Sequence, residues 1–196
     1  MKRHNSFRGY FAYELHQQMK KNPDIRVVTA DLGYGMFDDI KKDYPDRFIN
    51  VGAAEQAMVG IGVGMALKGL IPFCYSITPF LLYRRIGLCN STPWKGNIAV
   101  KLVGAGIGKD YGDDGFTHWS GEEYNTVIGR YPNIQQFCPG TKERVPAMVR
   151  EMIENKKKQN HEGGNDADDE QCIAGDDQIA HENGLYVEDL RHGKDL

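Results

Sequence analysis

The sequence predicts an α/β fold, a parallel sheet with helices on both faces. Three observations carry that expectation. Short β-branched runs such as Ile25-Arg26-Val27-Val28-Thr29 alternate with stretches of helical period, such as residues 6–21. The runs are nearly continuously apolar, as strands buried on both faces must be. Polar and glycine-rich residues collect just past the ends of the runs, where open parallel sheets bind ligands.

Each element has its own justification. Residues 6–21 place Phe7, Phe11, Leu15 and Met19 at helical spacing behind a capping Ser6. Ile25 to Ala30 is a strand that ends at Asp31. Phe48-Ile49-Asn50-Val51 is a second, leading into a helix from about Ala53 to Lys68 that Gly69 closes. Leu70 to Ile77 is apolar strand, followed by a helical stretch over 79–90. Asn97 to Val103 is the next strand, and 104–115 is a glycine-dense loop. Residues 120–130 and 141–157 read as helices flanking a strand from Ile134 to Cys138. No internal repeat is present.

At 196 residues, 40% of them hydrophobic, the chain can bury one domain-sized core. The net charge of −3 calls for neither nucleic acid nor an anionic membrane, and no apolar run is long enough to span one. That average hides an asymmetry. Residues 159–196 carry eleven acidic side chains against Arg191 and Lys194, whereas 1–158 carry 22 basic and 16 acidic ones. Residues 1–157 therefore read as the folded domain. Residues 158–196 read as an acidic tail without order, dispensable for folding, with Leu185-Tyr186-Val187 as its one candidate docking segment. Cys74, Cys89, Cys138 and Cys172 show neither CxxC spacing nor histidine partners, so they read as small hydrophobes. The first residues, Met1-Lys2-Arg3-His4-Asn5-Ser6, lead into no apolar signal region. A reducing cytosol is the expected compartment.

Chemistry concentrates at 48–60. Glu55 opens a helix whose other residues are Ala, Met, Val, Ile and Gly. In isolation, it reads as a carboxylate favoured by the helix dipole. Asp31, Phe80, Tyr83, Asp114 and His118 all follow predicted strands. Alone, Phe80 with Tyr83 is core packing and Asp114 with His118 a surface hydrogen bond.

Taken together, these strings resemble the pyrimidine-binding domain of transketolase-like, thiamine-diphosphate-dependent enzymes. Asn50-x-Gly52-x-x-Glu55-Gln56 at a strand-to-helix junction resembles the family's glutamate motif. Asp31-Leu32-Gly33 resembles its Asp-Leu element, and Thr78-Pro79-Phe80-Leu81-Leu82-Tyr83 its Thr-Phe-Leu aromatic segment. Asp114-Gly115-Phe116-Thr117-His118 resembles its Asp-Gly-x-Thr-His loop, and Tyr131-Pro132-Asn133 with Pro139-Gly140-Thr141 its Pro-Asn strand and following turn. The resemblance covers about residues 6–155.

It implies roles. Glu55 would bond the far ring nitrogen of the aminopyrimidine and turn its amine into an effective base, a task helped by partial desolvation of the carboxyl. Phe80 and Tyr83 would stack on and flank that ring, with Asp31 also on the cofactor side. Asp114 and His118 would contact sugar hydroxyls near the reacting carbon, His118 close enough to count as catalytic. Arg8, opening the first helix, would reach a substrate phosphate or terminal hydroxyl through its planar fork.

The sequence also departs from the family. No Gly-Asp-Gly motif is present, so it implies a separate partner chain holding the diphosphate and its magnesium or calcium; no metal ligand is assigned to this chain. Residues 104–112 lack the histidine that binds phosphate in many transketolases; Lys109 either substitutes or is a solvated loop lysine. The resemblance implies a transferase subunit of carbohydrate metabolism. It would act in two-carbon ketol transfer on sugars or sugar phosphates, with self-association through the glycine-rich helix. Two alternatives remain open: a non-catalytic scaffold or regulatory protein that keeps the fold, and a subunit of a keto-acid decarboxylating or deoxyxylulose-phosphate synthase-like enzyme.

Overall fold

The computed structural model describes residues 1–83, 98–106, 109–119, 134–158 and 185–190. In chain order the elements are α1 (Phe7–Lys21), β1 (Ile25–Thr29), α2 (Asp38–Asp43), β2 (Phe48–Asn50), α3 (Glu55–Leu67), β3 (Ile71–Ile77), α4 (Thr78–Tyr83), β4 (Lys101–Ala105), β5 (Ile134–Phe137), α5 (Val145–Lys158) and β6 (Leu185–Leu190). The sheet order is β2-β1-β3-β4-β6-β5. The β2, β1, β3 and β4 strands are parallel, while β6 runs antiparallel to both β4 and β5.

Successive side chains of a strand point to opposite faces, and here both faces are covered. Val27, Phe73, Tyr75, Val103 and Ala105 pack on one side with Phe11 and Leu15 of α1, Ile40 of α2 and Val149 and Met152 of α5. Val28, Cys74 and Leu102 pack on the other with Met58 and Val59 of α3 and Leu81 of α4. The predicted two-sided parallel sheet is therefore present. The α3 helix lies so close to the sheet that a Cβ on Gly62 would sit 2.6 Å from the Cys74 sulfur. At the head of α1 the Ser6 hydroxyl accepts the Gly9 amide at 3.1 Å, the predicted cap.

Several boundaries move. Residues 101–105 form β4, later than the 97–103 expected, and α2 was not anticipated at all. Six residues of mostly charged sequence give α2 little apolar signal beyond Ile40. The helix expected over 120–130 and the second half of that over 79–90 lie outside the described residues, as does 159–184 of the tail. Residues 185–190 depart from the expectation of an unordered tail by forming β6. Averaging over the acidic segment 159–196 obscures a short Leu-Tyr-Val string of high strand preference. The register sets Asp189 opposite Lys101, whose side chain is fully buried in β4. Among the described residues, no helix is long and apolar enough to cross a membrane.

Truncation after Lys158 would strip β4 and β5 of their shared neighbour. A fall in melting temperature of about 5–10 °C is expected by circular dichroism. An unchanged value would show that the sheet closes equally well without β6.

Candidate active site

The sheet order reverses between β1 and β3, since β2 lies to one side of β1 and β3 to the other. A crevice opens at the carboxyl ends of such neighbours. Here it is a cavity of about 460 Å3 lined by the head of α1 (His4, Ser6, Arg8), the turn from Leu32 to Met36, and Tyr75 of β3.

Asp31 terminates β1 in the left-handed region, at φ 51°, the one non-glycine residue there among those described. Asn50 accounts for this. Its side-chain oxygen Oδ1 accepts the Asp31 backbone amide at 2.9 Å and the Gly52 backbone amide at 3.0 Å, tying the end of β1 to the turn that leads into α3. The Asp31 carboxylate accepts hydrogen bonds from the Tyr34 hydroxyl and the Asn50 amide. Those bonds, Tyr34's first, hold its carboxyl below the usual range, while the Tyr34 phenol is pushed up by the same contact.

Glu55 occupies the first turn of α3 and is only 4% exposed. The preceding residue, Ala54, offers the helix no side-chain cap. The following α4 helix begins where the Thr78 hydroxyl donates to the Ala105 carbonyl at 3.2 Å. That start brings Phe80 edge-on to His118, with ring centroids 4.8 Å apart. The His118 Nδ1 lies 3.1 Å from the Thr117 hydroxyl. Tyr83, at the end of α4, is 41% exposed.

Tyr111 joins the site without belonging to any of the motifs in the sequence. Its ring lies 6.2 Å from that of His118. Its hydroxyl accepts a hydrogen bond from the Arg8 guanidinium at 3.5 Å. Gly106 makes this possible, because a Cβ there would sit 2.5 Å from the Tyr111 ring. Burial pushes the Tyr111 phenol up, the Arg8 charge opposes that, and Asp110 and Asp114 add to it. Phe80, His118, Tyr111 and Arg8 thus form a continuous line of contacts, and Asp114 is felt at Tyr111. Lys109 instead sets its ammonium over the Trp119 ring at 4.6 Å. The only sequence signal for Tyr111 was an aromatic residue in an otherwise glycine-rich and polar loop.

The residues present suit a flat pyrimidine. A buried carboxyl sits at the head of an apolar helix, and α4 beside it carries an aromatic ring braced edge-on by His118. Among the described residues, no group of three His, Cys, Asp or Glu side chains gathers to hold a metal ion.

Fold and site together define an α/β chain of the type that contributes the pyrimidine side of a thiamine-diphosphate site. Residues 4–160 match the family described as the transketolase pyrimidine-binding domain, and the chain belongs to it. It is similar to one subunit of the apulose-4-phosphate transketolase of Actinobacillus succinogenes, with 35% identity over 69% of this chain and 42% of that one. It is also similar to a 6-deoxy-6-sulfo-D-fructose transketolase subunit of a Clostridium species, with 33% identity over 59% of this chain and 37% of that one. Among solved structures, a split-gene transketolase described as an inactive beta4 tetramer superposes with a TM-score of 0.65 and 26% identity, over 76% of this chain and 48% of that one. The chain thus spans less than half the length of each of these relatives.

The Asp31 contacts give a testable pH dependence. A carboxyl whose folded pKa is depressed stabilises the fold above its unfolded value, near 3.8, and loses that contribution as the pH falls through the folded value. Tyr34→Phe removes the leading hydrogen bond. The Asp31 carboxyl, followed by NMR, should then titrate at higher pH than in the parent, and an unmoved titration would refute the assignment.

Proposed function

We propose that this chain supplies the pyrimidine half of an inter-subunit active site for two-carbon ketol transfer on sugars or sugar phosphates. A separate subunit would hold the diphosphate and its magnesium or calcium. The carrying observation is the buried Glu55 carboxyl at the head of α3, at the same end of the sheet as the Phe80–His118 pair. The transketolase subunits named above support the class of reaction.

In this reading Glu55 holds the far ring nitrogen of the aminopyrimidine through its carboxyl, and burial keeps water from competing for that bond. Phe80 covers the ring with Tyr83 beside it, and Asp31, fixed by Asn50, borders the cofactor side. When bound, thiamine diphosphate supplies the acidic thiazolium carbon and the internal amine that together cleave carbon–carbon bonds. His118 holds or moves a proton at a substrate hydroxyl near the reacting carbon, and Asp114 orients the neighbouring hydroxyl. Arg8 takes the far end of the substrate.

The test is reconstitution with a chain that carries a Gly-Asp-Gly motif and a downstream Asn. Glu55→Gln should lower turnover by about 10²–10⁴-fold while leaving subunit association intact. Unchanged turnover or unchanged biological function in that variant would favour a scaffold instead.

We also propose self-association through α3. Ala57, Gly60, Ile61, Gly64 and Leu67 are all exposed along one side of this helix, Leu67 at 66%, and no charge interrupts them. A second copy of this chain is the fitting occupant, since the similar split-gene protein is described as a beta4 assembly. Replacing Ile61 and Leu67 together by Glu should turn an oligomer into a monomer by sedimentation; a parent chain that is already monomeric would overturn the proposal.

A further inference from the structure

The sheet is completed by a strand that arrives late in the chain. β6 lies between β4 and β5 and pairs with both, although residues 159–184 separate it from α5. Without it, β4 and β5 would each present a row of unpaired backbone groups, the condition under which a sheet takes up an extended segment. The slot between them is therefore a place that an extended segment fills.

Side chains decide which segment fits. Val103 and Ala105 of β4 face the core that α1 and α5 cover, and strand alternation puts Lys101 on that same face. Lys101 is 0% exposed, and a lysine is almost never fully buried without a partner for its charge. The register sets Leu185 opposite Ala105, Val187 opposite Val103 and Asp189 opposite Lys101. On the other flank Val187 is level with Phe137 and Asp189 with Gln135. The Gln135 side chain is committed to α5, donating to Glu151 at 3.3 Å and accepting from Asn155 at 3.1 Å. β5 carries no charged residue, so Lys101 is the one charge that the two bordering strands offer. A slip by one residue would take Leu185 and Val187 off the core face. A slip by two would bring Arg191 or Val187 opposite Lys101.

We propose that the slot between β4 and β5 is a strand-acceptor site for an extended segment of the order apolar-x-apolar-x-acid, with Lys101 as its specificity-determining residue. Its occupant here is the chain's own Leu185–Leu190, and the same segment supplied as a separate peptide fills it. Backbone pairing to both neighbours gives affinity without regard to sequence. The buried ammonium rejects segments that bring no acid to its level. The site is distinct from the candidate active site, since Lys101 begins β4 and the loop carrying Tyr111 leaves from its other end.

The experiment uses the full chain with Val187→Pro, which removes a ladder donor from its own β6, and a synthetic peptide of residues 183–192 as the probe. The peptide should raise the melting temperature saturably and slow amide exchange at Lys101–Ala105 and Ile134–Phe137. A peptide carrying Asp189→Asn should bind at least about tenfold more weakly, because it leaves the buried ammonium uncompensated. Where Val187→Pro does not fold alone, the peptides are present during refolding and the recovered folded fraction is compared between them. The full chain gives an independent check. Asp189→Asn should lower the melting temperature of the parent and leave that of Lys101→Met unchanged. No response to the parent peptide up to about 1 mM would overturn the proposal. So would equal binding of the Asp189→Asn peptide, or an equal effect of Asp189→Asn with and without Lys101, either of which would assign the Lys101 charge to Glu151 of α5 instead.

Discussion

The parallel alignment of β1, β3 and β4, buried on both faces, is the constraint from which the rest of the structure follows. Parallel strands need crossover helices, and a strand hidden on two sides tolerates few polar side chains on either. Chemistry is thereby expelled to one place, the carboxyl ends of the strands. There the chain leaves the sheet at Asp31, Asn50, Thr78 and Gly106, and each exit is fixed by a specific contact rather than by bulk packing. Asn50 joins the first two exits, while the Thr78 hydroxyl and the Ala105 carbonyl join the last two.

Because the exits are joined in pairs, residues far apart in sequence are placed together. Arg8 and Tyr111 are separated by 103 positions, yet a hydrogen bond connects them. The loop reaches back because Gly106 leaves room for the Tyr111 ring. This loop lacks the histidine of many transketolases; an aromatic ring lies against Gly106 instead and touches the Arg8 side of the cavity. The two ends of the proposed substrate path, His118 near the reacting carbon and Arg8 at the far terminus, are connected through this one residue.

The sheet and its two layers were legible in the sequence because strand burial writes itself as uninterrupted apolar runs, and α1 and α3 because their lengths carry a clear period or a clear cap. The α2 helix was not, since six residues with Ile40 as the only buried one carry no measurable period. The β6 strand was hidden by averaging, its Leu-Tyr-Val being outnumbered by the acidic residues around it. The site divides along similar lines. Glu55, Phe80 and His118 lie within local strings that can be read in order. Tyr111 owes its position to tertiary placement, by folding back to Arg8.

The distribution of broken local rules is itself informative. At the end of α1 opposite Arg8 the backbone groups are satisfied, since Arg47 donates to the carbonyls of Met19 and Asn22. At the carboxyl ends of the strands the same chain accepts a non-glycine residue in the left-handed region, a helix headed by Ala54 without a side-chain cap and a buried carboxyl. A side-chain cap is worth about 1 kcal/mol. Against a total stability on the order of 5–15 kcal/mol, several such costs at one end of one sheet are large. A protein that needed only its shape could shed them by single substitutions, such as Ser for Ala54. Their concentration where Glu55, Phe80, His118 and Arg8 also lie is the pattern expected of the proposed site.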